Sequence, residues 1–179
     1  MRRLFVAVRP PAVVRDALLA AMGGIAAARW QTDDQLHLTM RFIGEVDRHA
    51  ASDIVAALAE IRHPPIAART GAIGSFAARG RPRAVWVGVE PATALTVLHH
   101  KIDQALVRAG VPPDARAFVP HITLARLGRD AGPLSGLIGR GVVAVPFMID
   151  GFVLFESILT RSAAVYDLLA EFNMVNEIR

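Results

Sequence analysis

Two tetrads carry residue types suited to proton transfer: His37-Leu38-Thr39-Met40 and His121-Ile122-Thr123-Leu124, 84 residues apart in a chain of 179. Each sets an imidazole and a hydroxyl two positions apart, with apolar residues in the alternate places. Side chains alternate faces along an extended strand. His37 and Thr39 therefore share one face, and Leu38 and Met40 anchor the other. The same holds for His121 and Thr123 over Ile122 and Leu124. One such strand is ordinary half-buried structure; two in matching context make a four-point polar cradle. Histidine titrates near neutrality, so one ring can be neutral while the other carries a proton. Displacement at a phosphodiester needs that combination. One group takes a proton from the attacking water and the other protonates the departing alkoxide, help worth about 10²–10⁴-fold in rate. The threonine hydroxyls suit the non-bridging oxygens, where transition-state charge collects. In-line attack requires the two rings on opposite sides of the phosphorus.

No other motif competes. His49, His63, His99 and His100 read as surface or helix-face positions, and the adjacent His99-His100 point in different directions, a poor metal pair. There is no His-Glu-x-x-His, carboxylate cluster, Gly-x-Gly-x-x-Gly or P-loop, so neither a metal nor a cofactor is expected. The chain has no cysteine, which excludes disulfides, zinc-thiolate sites and cysteine nucleophiles.

The elements that must position the tetrads can be read around them. Residues 3–8 read as a buried strand, broken by Pro10-Pro11. Val13, Val14, Ala17, Leu18 and Ala21 follow helical spacing up to Gly23-Gly24. Strand 36–43, helix 50–61, strands 66–76 and 84–89, helix 94–109 and strand 121–127 follow in turn. Strands are expected at 142–149 and 152–158, with Asp150-Gly151 between them as a hairpin signal. The segment 166–172 is open between strand and helix. The order is mixed α/β. Each tetrad lies on a strand preceded by a strand and a helix. The chain therefore reads as two similar lobes in one unit, 1–179, each bringing a His-x-Thr strand to a shared cleft.

Composition sets the bounds. Hydrophobic residues make up 53% and charged residues 20%, enough for a sizeable core and against disorder. The net charge is +4, and Lys101 is the sole lysine, so arginine carries nearly all the positive charge. Its planar fork suits phosphate; this balance is compatible with RNA without requiring it. No stretch approaches the roughly 18 apolar residues of a membrane span. The opening apolar run stops at Arg9-Pro10, short of the about 7–15 residues of a secretory signal. A soluble cytoplasmic protein is expected.

With its flanks the pattern resembles the 2′-5′ RNA ligase-like family of RNA 2′,3′-cyclic phosphodiesterases, within the two-histidine phosphoesterases. The similarity runs through Arg3-Leu4-Phe5-Val6-Ala7-Val8, then His37-Leu38-Thr39-Met40-Arg41-Phe42-Ile43-Gly44-Glu45-Val46. It continues in 81–89, which contains Trp86, in Phe118-Val119-Pro120-His121-Ile122-Thr123-Leu124-Ala125-Arg126, and in 152–159 with Tyr166. The resemblance implies an α/β (α+β) bilobal fold. Its two pseudo-twofold lobes would each have an antiparallel sheet, with helices outside and the active-site cleft between the sheets. It implies metal-free hydrolysis of 2′,3′-cyclic phosphate ends to 2′-phosphates, with reversible 2′-5′ joining in some relatives. Carried over by motif, His37 is the acid for the leaving 3′ oxygen and His121 the base for water. Thr39 and Thr123 hold the phosphate, and Arg126 is a candidate phosphate or RNA contact, with a surface or structural arginine as the other reading. The implied partner is cyclic-ended RNA, including tRNA fragments, or a cyclic nucleotide, taken by a monomer away from membranes.

Several positions carry further expectations. Arg126 lies five residues after His121, so strict alternation sends it to the far face; it reaches the cleft only if the strand ends or bulges first. Arg41 shares parity with His37 and Thr39 and is expected to line the cleft. Trp30 and Phe76 are candidates for stacking a base, or for lobe packing. Arg79, Arg81 and Arg83 form a basic loop that tracks an RNA backbone or is simply solvated. Relatives carry glycines between the closing Ser and Tyr, where this chain has Thr160-Arg161-Ser162-Ala163-Ala164, a change bearing on substrate preference. Two other readings stand beside the main one. The cradle suits another cyclic phosphate, such as a nucleotide-sugar derivative, or the chain is a non-catalytic RNA-binding module. The two intact His-x-Thr pairs argue against the last.

Overall fold

The computed structural model describes residues 1–140, 144–159 and 164–175. The chain opens with β1 (Arg2–Val8) and α1 (Ala12–Ala21), the helix entered from Pro11 and buried along Val14 and Leu18. Gly23 and Gly24 then take positive φ and turn the chain. A three-residue β2 (Ala28–Trp30) and a 3-10 turn (Asp33–Gln35) precede β3 (Leu38–Val46). Next come α2 (Arg48–Ala59), β4 (Ile66–Ala78), β5 (Arg81–Glu90) and α3 (Ala92–Arg108). The chain closes with β6 (His121–Leu127), α4 (Ser135–Arg140), β7 (Pro146–Ile149), β8 (Gly151–Leu159) and β9 (Ala164–Asn173).

The strands form an antiparallel sheet in the order β7-β4-β5-β6-β3-β1-β8-β9, with β2 laid against β6. It divides at the β6–β3 seam, where a single register pair, Leu38↔Ile122, joins the two halves. These are the second residues of the two tetrads, so a local twofold passes between them. Extended by one residue either way, that register sets His37 against Thr123 and Thr39 against His121. The geometry expected of two similar lobes is therefore built into one backbone pairing.

The helices cover the other face. Leu95, Leu98, His99, Ile102, Ala105 and Leu106 make one buried stripe on α3, the spacing of an amphipathic helix. They pack with Ile54 and Leu58 of α2 and with Leu38, Met40, Ile122 and Leu124 of the tetrad strands. Strand β1 is buried on both faces: Leu4, Val6 and Val8 join this core, while Phe5 and Ala7 form a second small cluster with Phe155 on the cleft side.

Some expectations need correction. Asp150-Gly151 does not turn a hairpin: β7 pairs with β4, whereas β8 pairs with β1 and β9. The chain crosses here from one half-sheet to the other. The glycine serves close approach, because a Cβ on Gly151 would stand 2.8 Å from the Phe172 carbonyl oxygen. The open segment 166–172 is strand. His63 is buried rather than at the surface; His99 lies on the buried face of α3, its ring stacked on Phe118 with centroids 4.3 Å apart. Among the described residues, no helix is long and apolar enough to cross a membrane.

Candidate active site

His37 stands just before β3 and His121 begins β6. Each ring is tethered in the same way. Nδ1 of His37 lies 2.8 Å from the carbonyl oxygen of Gln35, and Nδ1 of His121 lies 2.6 Å from that of Val119. A carbonyl only accepts, so Nδ1 carries the hydrogen and donates it, leaving Nε2 as the free nitrogen of each neutral ring. The tethers rest on fixed backbone. Gln35 closes a capping box with Thr32 and donates from its side chain to the Ala164 carbonyl at 3.0 Å. The Pro120 carbonyl accepts from the Val89 backbone at 3.0 Å.

Both rings sit among aromatic side chains. His37 meets Phe5 at 5.0 Å, and Tyr166 edge-on at 5.2 Å. His121 meets Phe76 edge-on at 4.8 Å and Trp86 at 5.7 Å. The Trp86 indole covers Gly74, where a Cβ would come within 2.3 Å of the ring. Burial among these rings disfavours the charged imidazolium. It pushes His37 down to about 4, helped by the charges of Arg126 and His121 and opposed by the Gln35 carbonyl. Burial likewise lowers His121, against the Val119 carbonyl and with Arg126.

The strands then do something period-two alternation does not foresee. Along β1 and β3 the register passes from Ala7↔Thr39 to Val6↔Arg41, leaving Met40 as an extra residue. Along β5 and β6 it passes from Trp86↔Thr123 to Val85↔Ala125, leaving Leu124 as the extra residue. Each tetrad therefore ends in a β-bulge at its fourth position, which resets the parity of the residues beyond it. Met40 and Arg41 both point into the protein, as do Leu124 and Ala125. Phe42 and Arg126 both turn to the cleft.

Arg126 thus reaches the cleft by the bulge that was its condition. The expectation for Arg41 is overturned by the equivalent bulge. Arg41 is 5% exposed, donates from Nε to Asp103 at 2.7 Å, and gives its remaining nitrogens to the Phe42 and Pro112 carbonyls. It braces β3 against α3 behind the site. Trp30 also stays out of the cleft, packed partly buried against the core. Phe76 lines the cleft beside His121. Residues 160–163, where the loop expectation falls, lie outside the described residues; of that stretch only Ala164 is described, and it starts β9.

The resulting cavity, about 600 Å³, is lined by His37, Thr39, His121, Thr123 and Arg126, with Phe5, Phe42, Phe76 and Tyr166 as aromatic walls. Three contributors were not singled out from the sequence. Phe42 is 49% exposed on the cleft wall. The Arg116 guanidinium lies 5.8 Å from its ring centroid and is clamped by Asp114 through bonds of 3.0 and 2.9 Å. That clamp, chiefly the Arg116 hydrogen bond, holds the Asp114 carboxyl down at about 2. Tyr166 closes over His37 from β9. Phe42 was hidden by parity, Arg116 lies in a segment without periodicity, and Tyr166 was legible only through the family resemblance. Two imidazoles, two hydroxyls and a cation facing one cavity suit an anion undergoing displacement. Among the described residues no group of three or more His, Asp or Glu is placed to hold a metal.

Comparison with known proteins points the same way. The family model described as the 2′-5′ RNA ligase superfamily matches residues 15–163. The chain is 36% identical over 144 residues to an RNA 2′,3′-cyclic phosphodiesterase of Aeropyrum pernix, covering 78% of this chain and 82% of that one. It is 31% identical to the protein of that name from Thermus thermophilus, over 98% of this chain and 91% of the other. In three dimensions it is similar to a crystal structure from Thermus thermophilus, with TM-score 0.82 and 27% identity over 98% of this chain and 100% of that one. It is also similar to E. coli LigT complexed with 3′-AMP, with TM-score 0.79 and 25% identity over 98% and 99%.

Proposed function

The chain belongs to the 2′-5′ RNA ligase superfamily, and from that premise we propose that it hydrolyses 2′,3′-cyclic phosphate ends of RNA to 2′-phosphomonoesters without a metal. The observation that carries this reading is the matched tethering of two imidazoles. Each has Nδ1 committed to a backbone carbonyl and Nε2 free, and both line one cavity with two threonine hydroxyls and Arg126.

His121 accepts a proton from water at Nε2 as the water oxygen bonds to phosphorus. The bond from phosphorus to the ribose 3′ oxygen breaks, and His37 delivers its Nε2 proton to that oxygen. Thr39, Thr123 and Arg126 hold the non-bridging oxygens, where charge gathers in the transition state. The product is a 2′-phosphate beside a free 3′-hydroxyl. His37 is neutral at pH 7 in the empty site, its burial holding it at about 4. The negative charge of the cyclic phosphate opposes that shift, so the acid becomes charged as substrate arrives. A 5′-hydroxyl of RNA in the place of water would form a 2′-5′ linkage by the same transfers. Neither half supplies both rings, so the two lobes act as one catalytic unit, and a monomer suffices. Fragments of tRNA with cyclic ends are suitable substrates.

The test is incubation of a 2′,3′-cyclic mononucleotide and a cyclic-ended RNA, with phosphorus NMR of the products. Signals of 2′-phosphate should appear, unaffected by chelator. Retained turnover in folded His37→Ala or His121→Ala protein removes the mechanism. Preference for another cyclic phosphate, or RNA binding with no turnover, overturns the substrate assignment or the enzymatic reading.

A further inference from the structure

Strand β6 leads out of the catalytic cleft towards a second cavity. From His121 it passes Thr123 and Arg126. Two residues further, about 7 Å along an extended chain, Gly128 and Arg129 reach a groove of about 300 Å³ whose other wall is Arg81, Pro82 and Arg83 at the start of β5. Among the described residues no carboxylate lines this groove. Arg81, Arg83 and Arg129 are exposed, and among the described residues none forms an ion pair or a side-chain hydrogen bond. Beside them, Arg29 of β2 stands directly opposite Arg126 in register. Like charges across a strand pair repel, and here nothing in the described chain neutralises them. Asp130, the one acid in 127–134, lines neither cavity.

The equivalent strand end in the other half carries different residues. Counting from the tetrads, Glu45 occupies the position equivalent to Arg129. It lies opposite Arg3 in register, and Arg2 is paired to Glu156 at 3.7 Å. At this strand end Arg3 has a carboxylate opposite it in register and Arg2 is ion-paired. A polyanion leaving the cleft therefore meets less compensated positive charge along the end of β6 than here.

Resting on the function proposed above, we propose that the groove walled by Arg81, Arg83 and Arg129 binds the phosphodiester backbone of the RNA strand immediately 5′ of the reacting end. Guanidinium forks match phosphate oxygens in pairs. Contacts of this kind fix position and direction without reading sequence, and they release counterions, which makes them salt-dependent. The cleft alone serves a mononucleotide; the groove adds affinity only when a chain continues beyond it.

The experiment compares kcat/KM for a cyclic-ended octanucleotide and a 2′,3′-cyclic mononucleotide at 50 and 200 mM salt. The proteins are wild type, Arg129→Gln, and the triple variant Arg81→Gln/Arg83→Gln/Arg129→Gln. With one phosphate per guanidinium and a log–log slope of about −0.7 per contact, the wild-type octanucleotide value should fall about 20-fold more steeply over that range than the triple variant's. Arg129→Gln should remove about a third of the slope, and mononucleotide turnover should be the same in all three proteins. A triple variant with wild-type octanucleotide kcat/KM and slope overturns the proposal. So does an equal loss on the mononucleotide, which would mean a disturbed cleft. If wild type turns over neither substrate, the enzymatic reading fails on its own. The groove is then judged by fluorescence anisotropy of a labelled octanucleotide ending in 2′-phosphate, which wild type should bind and the triple variant should release at the higher salt.

Discussion

In the first half of the molecule His37 is enclosed by Phe5, Phe155 and Tyr166, and the bulge at the end of its tetrad buries Arg41 and turns Phe42 to the cleft. In the second half His121 leans on Phe76 and Trp86, and the same bulge buries Ala125 and turns Arg126 to the cleft. The backbone device is the same in both: a His-x-Thr strand, a ring tethered to the carbonyl two residues back, and an extra residue at the fourth position. The contents differ at each equivalent position, Arg41 against Ala125, Phe42 against Arg126 and Glu45 against Arg129. Two equally held imidazole arms come from the shared backbone. Direction comes from the side chains that break the symmetry, with Phe42 facing the cleft from the half of the proposed acid and Arg126 from the half of the proposed base.

The largest test of that division removes each arm in turn. His37→Ala and His121→Ala should each lower kcat on a 2′,3′-cyclic nucleotide by about 10²–10⁴-fold. The two should part on a p-nitrophenyl phosphodiester, whose leaving group needs no proton. There His37→Ala should stay near wild type, while His121→Ala keeps its full deficit. The reverse pattern would exchange the acid and the base between the halves.

Next in size is the buried contrast, Arg41 against Ala125. Removing one partner of a fully buried ion pair costs about 3–5 kcal/mol. Asp103 keeps 22% of its side-chain surface exposed, so roughly 2–3 kcal/mol is expected for Arg41→Ala after that discount. This corresponds to a Tm lowered by about 4–12 °C for a chain of this size, with kcat on a mononucleotide nearly unchanged. A variant with wild-type Tm and collapsed kcat/KM would return Arg41 to the substrate.

This pair also shows what the sequence makes legible. His37, Thr39, His121 and Thr123 can be read because alternation holds through the first three residues of each tetrad. The exchange of Arg41 for Arg126 cannot be read so. A bulge is set by pairing with β1 and β5, and nothing local in Met40 or Leu124 marks it. Asp150-Gly151 carries a turn signature, yet the structure uses the glycine for close approach to the Phe172 carbonyl, a contact between distant segments. The helices α1, α2 and α3 were legible from apolar spacing, whereas β2, three residues on the flank of β6, has too little pattern to find.

Phe42 against Arg126 gives a smaller and more selective effect. A base stacked on an aromatic ring contributes about 1–3 kcal/mol. Phe42→Ala should therefore raise KM for a cyclic nucleotide about 5–150-fold with kcat kept. Arg126→Met should instead lower kcat, because its charge is used where the phosphate becomes more negative. If both variants change only KM, the cation serves binding and not the transition state.

The smallest contrast is in titration. Burial among Phe5, Phe155 and Tyr166 holds His37 at about 4, against an ordinary value of 6.5, and His121 is also lowered. The proposed mechanism needs one ring charged and the other neutral, so kcat/KM should follow a bell with both limbs below 6.5. For kcat, the bound phosphate anion raises His37 and moves the optimum towards neutrality. The folded protein binds fewer protons than the unfolded chain between pH 6.5 and 4. Stability should therefore rise with pH across that window and be lost as pH falls through it. Proton NMR of the imidazole Cε1 resonances measures this directly: His37 should titrate near 4 in the empty protein and higher with inorganic phosphate in the cleft. Phe5→Leu, which opens the enclosure, should raise the empty-site value, while Phe76→Leu should leave His37 where it was. An empty-site His37 titrating at 6.5 would mean that its aromatic enclosure does not disfavour the charged ring.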